Sequence, residues 1–149
     1  MQKKIKILAI FHIIVAINIF MFWAEFYSGL IFPVEIMREK IAHFEGYYAW
    51  ETSFTIPDFI LAIVMIIGAI KLLKDNTDKL ANTLLIAASG GLIFLGVLDF
   101  VYDFSNGMFA LGHIYSYILL SVGLFLPPFG LVSIYVLYKA KQANDVSPF

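Results

Sequence analysis

The stretch "FLGVLDFVYDFSNGMF", residues 94–109, places Asp99 and Asp103 four positions apart at the end of a long apolar run. If the run crosses a membrane, the two carboxylates share one helix face close to its end, and the question is what they face. The rest of the chain answers the first half. Of its 149 residues 61% are hydrophobic, and mean hydropathy is +0.87, against about 45–50% apolar for an ordinary soluble domain. The excess is concentrated in four blocks, at about Ile7–Phe32, Phe54–Leu73, Leu80–Phe104 and Phe109–Tyr138. Each reaches the roughly 20 residues needed to cross a hydrocarbon core of about 30 Å. Backbone groups in lipid must be paired within their own segment, so the blocks are helices. The period-2 alternation of a membrane barrel is missing. The expected fold is a single all-α domain over residues 1–149, a four-helix transmembrane bundle with a long first outer loop.

Charge sets the expected orientation. Lys3, Lys4 and Lys6 precede the first block, Lys71, Lys74 and Lys79 flank "KLLKDNTDK", and Lys139 and Lys141 follow the last block. Eight of the ten basic residues therefore fall on one side, leaving Arg38 and Lys40 for the other. The positive-inside rule puts both termini in the cytoplasm. The start, "MQKKIK" and a long apolar run without a small-residue cleavage site, reads as an uncleaved anchor. A net charge of −1 without a basic cluster gives no footprint for nucleic acid. The absence of cysteine excludes thiol redox chemistry and thiolate metal sites.

The outer connection from Phe32 to Asp58 carries its own pattern. Val34, Met37, Ile41 and Phe44 recur at helical spacing, predicting a short amphipathic helix on the membrane surface. "GYYAW" then offers Tyr47, Tyr48 and Trp50 as headgroup-level anchors. "DFSNG" reads as a tight turn between the third and fourth spans.

Polar residues inside the spans are the functional candidates. Counting about 1.5 Å per residue from the lysines puts Asp58 roughly 20 Å deep and Glu25 and Asp99 about 28–30 Å away, near the outer boundary. Asp103 and His113 lie beyond it. Asp58 shares a stripe with Ala62, Met65 and Ala69, and Asp99 and Asp103 with Ala88, Leu92 and Gly96. Small residues mark helix contact faces, so these acids are expected to point into the bundle. There a charged carboxylate costs about 2.5–3.5 kcal/mol unless a partner, water or a proton relieves it. Depth argues that Asp99 and Asp103 form a water-reached mouth, and Pro57 places Asp58 at a helix start. Glu25 and Asn18 share a stripe, as do His113 and Tyr117 on the fourth helix. Asn18 is expected to bond across helices, and His12 to be a satisfied or interfacial histidine rather than a ligand. No HExxH or ExxH spacing is present and no cofactor is expected. The expected ligand-binding residues are Glu25, Asp58, Asn18, Asp99, His113 and Tyr117.

Several short patches, "FPVEI" (32–36), "AWETSFTIPD" (49–58), "YDFSNG" (102–107) and "YSYILL…LPPF", together with the four-helix layout, resemble the EXPERA family of emopamil-binding-protein-like and sigma-2-receptor-like proteins. The resemblance implies a membrane-opening pocket in which two acids face a cationic amine or a carbocation-like sterol intermediate. Those roles would fall on Glu25 and Asp58. The expected function is binding of a lipid-like or cationic amphiphilic molecule, with a sterol or lipid isomerase-like activity left open. The alternative is a proton- or cation-coupled transporter or an accessory membrane subunit. Expected partners are membrane lipids, a hydrophobic small-molecule ligand and, the oligomeric state being open, a homo-oligomer; nucleic acid is not among them.

Overall fold

A computed structural model describes residues 2–30, 33–110 and 114–145. Six α-helices follow in order: α1 (Gln2–Ser28), α2 (Val34–Lys40), α3 (Phe44–Thr52), α4 (Thr55–Lys74), α5 (Lys79–Ser105) and α6 (Ile114–Asp145), with a 3-10 turn at Met108–Ala110 before α6. No strand occurs among the described residues. The four long segments are each apolar enough to cross a membrane, and α3 runs into α4 as one span. The chain is an all-α four-helix bundle, as its composition predicts. The end of the first expected span, at Phe32, lies outside the described residues.

Consecutive long helices are neighbours: α1 packs on α4, α4 on α5, and α5 most extensively on α6. Small residues set the closeness of that last pair. A Cβ on Gly130 would stand 2.6 Å from the Ser89 carbonyl oxygen, and one on Gly96 would stand 2.8 Å from the Pro127 ring. Pro127 and Pro128 sit inside α6 without ending it. By contrast α1 and α6 meet only sparsely, so the bundle has a seam along one side.

At the lysine-bearing end the α4–α5 turn is tightly specified. Asp75 accepts from the backbone N–H and hydroxyl of Thr77, at 2.9 and 2.6 Å. Asp78 caps α5 by accepting from the Ala81 N–H at 2.8 Å and pairs with Lys71 at 3.2 Å. An apolar core of Leu8, Ala69, Leu72, Leu85 and Leu137 fills this end. At the opposite end Gly107, with φ +70°, turns the chain out of α5 through the left-handed conformation that glycine adopts without a Cβ clash. The Ser116 hydroxyl then donates to the Met108 carbonyl at 2.7 Å, tying the 3-10 turn to α6.

The long connection departs from expectation. Its apolar face does not lie on the membrane surface. Met37, Ile41 and Phe44 are buried with Trp23, Phe26, Met108 and Tyr115 in a core that caps the loop end of the bundle. "GYYAW" is part of α3 rather than a belt of anchors: Tyr47 is 2% exposed, and Trp50 stacks on Tyr102 of α5 with ring centroids 3.7 Å apart. Aromatic pairs gain attraction beyond their buried area, and the rings of Trp50 and Tyr47 against Tyr102 hold the loop down on α5.

Candidate functional site

Under this cap, between the loop-end halves of α1 and α6, lies a cavity of about 380 Å³. Its walls are mostly apolar: Ile14, Val15, Ile19 and Phe22 from α1, Leu61 from α4, Leu92 and Leu95 from α5, and Leu119, Val122, Phe125 and Leu126 from α6. Phe11, Ile14 and Phe125 at its rim are nearly half exposed, which marks the seam as its lateral opening. A second, lower groove of about 340 Å³ continues along the seam past Phe11 and Phe125 to Phe129, Val136 and Lys4.

Four carboxylates line the upper cavity: Glu51 from α3, Asp58 from α4, and Asp99 and Asp103 from α5. Among the described residues no lysine, arginine or histidine lines it. Each acid arrives for a different local reason. Asp58 is in the first turn of α4, where the positive end of the helix dipole favours an anion. It faces inward because Ala62, Met65 and Ala69 on its stripe are fully buried. The Trp23 indole N–H donates to its Oδ2 at 3.0 Å. Asp58 thus stands both at the helix start and in the cavity lining. Asp99 and Asp103 follow Ala88, Leu92 and Gly96 down the inward stripe of α5. Glu51, 9% exposed, is hydrogen-bonded to the Tyr47 hydroxyl, which also bonds the Tyr115 hydroxyl.

Asp103 corrects the expectation of a water-reached mouth. It is 2% exposed, and its Oδ1 is buried without a hydrogen-bond partner. Depth along the helix would leave it in the interfacial layer; the overlying α3 and the 3-10 turn remove it from water. Asp99 is partly exposed toward the same cavity.

Of the remaining expected site residues, Asn18 lines the cavity, but its amide donates to the Ile14 carbonyl of its own helix at 2.8 Å rather than across helices. Glu25 is not among the lining residues, and one of its carboxylate oxygens is buried without a partner. Tyr117 is 67% exposed on the outer face of α6 and does not line the cavity. His113 lies outside the described residues. His12, fully buried, donates from Nδ1 to the Leu8 carbonyl at 2.9 Å and meets the Ser89 hydroxyl through Nε2 at 3.2 Å. It is a satisfied structural histidine.

Sequence reasoning passed over Glu51, Tyr47 and Trp23. The signal for Glu51 was its spacing, seven residues before Asp58, which is two helical turns on one face if α3 and α4 run nearly on. Among the described residues no three Asp, Glu or His side chains converge as a metal site. The acids are spread along the cavity wall. No family model matches the chain, and no curated protein or solved structure is detectably similar to it.

Proposed function

We propose that the protein binds a cationic amphiphilic small molecule that enters from the bilayer through the α1–α6 seam, its charged head among the carboxylates. One observation carries this reading: Glu51, Asp58, Asp99 and Asp103 line one largely apolar cavity with no basic side chain among its described lining residues. An unbalanced cluster of acids in a low-dielectric site stabilises an entering cation far more than water does. The ligand's tail gains little by leaving lipid for an apolar groove, since both surroundings are equally apolar. The head therefore governs affinity. The spread of the acids suits an organic cation better than a metal ion. The resemblance to the EXPERA family points to the same ligand class. Transport is less well supported: between the cavity and the lysine-bearing end the described bundle interior is mostly packed apolar side chains, and its buried polar residues, His12, Ser89, Ser133 and Asn82, carry no carboxylate.

The test is equilibrium binding of a fluorescent cationic amphiphile and its anionic counterpart to the protein in nanodiscs. The cation should bind saturably and the anion should not. Asp58→Asn, which keeps shape and removes a charge, should weaken the cation by about 2–5 kcal/mol, the scale for a desolvated charge pair. Equal binding of both probes would remove the reading.

A further inference from the structure

The acids of the cavity are not equivalent, and the difference points to the contact that the ligand's head makes. This inference rests on the amphiphile reading and deepens it. Asp58 already accepts from the Trp23 indole. Glu51 is hydrogen-bonded to the Tyr47 hydroxyl. Asp99 is partly exposed along the cavity wall. Asp103 alone combines near-complete burial, at 2% exposure, with a carboxylate oxygen that has no partner and a place in the cavity lining.

A buried acceptor without a donor is costly and calls for an explanation, and Asp103 is the one of four such side chains among the described residues that lines the cavity, where a bound group can complete it. We infer that Asp103 is the principal counter-ion of the ligand, and that the ligand's head is an ammonium carrying at least one N–H, as in a primary or secondary long-chain amine. A small rotation of the Asp103 carboxyl toward the cavity that the residue lines presents Oδ1 to the N–H, which completes its open valence as a charge-assisted hydrogen bond. Asp99, one turn along the same helix face, adds negative charge behind it. A quaternary ammonium carries the same charge but presents only methyl groups, so it leaves Oδ1 unpaired and holds its charge farther away.

The experiment compares dodecylamine with dodecyltrimethylammonium as competitors of a bound fluorescent cationic amphiphile, on the full chain in nanodiscs. Wild type should favour the amine by at least about tenfold, the ratio for one charge-assisted hydrogen bond. In Asp103→Leu the preference should collapse to within about threefold, while apo thermal stability holds or rises, because an apolar side chain of similar shape replaces an unpaired buried acceptor. Asp58→Asn should weaken both competitors by a similar factor and keep their ratio. A preference that survives in Asp103→Leu, or wild-type binding of the quaternary probe as tight as the amine, overturns the inference and leaves the amphiphile reading standing. Binding of neither competitor overturns both. The wild-type comparison decides the matter even if Asp103→Leu fails to fold.

Discussion

The indole N–H of Trp23 and the Oδ2 of Asp58, 3.0 Å apart, join α1 to α4 at the cavity wall. Trp23 is 1% exposed, so its N–H has no access to water as an alternative acceptor. The bond fixes the position of Asp58 in the cavity lining.

Replacing Trp23 with Phe removes the donor and some volume. We expect a loss of about 1–3 kcal/mol of stability, the cost of leaving a buried carboxylate oxygen unpaired. A double-mutant cycle with Asp58→Asn, read by thermal unfolding in detergent, should show coupling of at least about 0.5 kcal/mol. Strict additivity would mean that the two side chains do not depend on each other.

Gly130 is a point of close approach between α5 and α6. A Cβ there meets the backbone oxygen of Ser89 at 2.6 Å, which no side-chain rotation relieves. Gly130→Ala should cost about 1–3 kcal/mol by overpacking. Gly46→Ala, where nothing lies within 4 Å, serves as the comparison and should stay within about 0.5 kcal/mol. Equal melting temperatures for the two variants would contradict the close packing described here.

The α4–α5 turn carries a pH dependence of known sign. The Ala81 N–H, with Lys71 nearby, holds the Asp78 carboxyl below its ordinary value of 3.8, and hydrogen bonds from Thr77 do the same for Asp75. A carboxyl depressed in the folded state adds stability above its unfolded value, and this is lost as pH falls through the folded one. Asp78→Asn keeps a capping oxygen but cannot titrate. Its unfolding midpoint should change less than wild type's as pH is lowered from about 5 to about 2. Parallel pH profiles would remove Asp78 from this role.

Topology is open to direct measurement. The clustering of lysines at one end of the bundle predicts that this end is cytoplasmic. Gly46→Cys, on the exposed face of α3, should react with an impermeant thiol reagent added outside intact cells, and Asn76→Cys in the lysine-side turn should not. The chain has no native cysteine to confuse the signal. The opposite labelling pattern would invert the orientation.

Composition and periodicity determined the bundle by themselves. The need to pair every backbone group within an apolar segment acts locally, and so does the alignment of Asp58 with Ala62, Met65 and Ala69 or of Asp103 with Gly96. Both were legible, as was the satisfied His12. What periodicity does not encode is which distant segment covers a helix end. Asp103 reads as a solvated boundary residue until the Trp50 ring stacks on Tyr102 and draws α3 over it. Glu51 reads as a loop acid until the same docking turns it inward. Glu25 shares the stripe of Asn18, yet only Asn18 reaches the cavity, because the space depends on where α6 leaves a gap beside α1. Those outcomes follow from long-range side-chain packing, a property of the folded chain's surfaces rather than of any window of its sequence, and they decided which acids share a site.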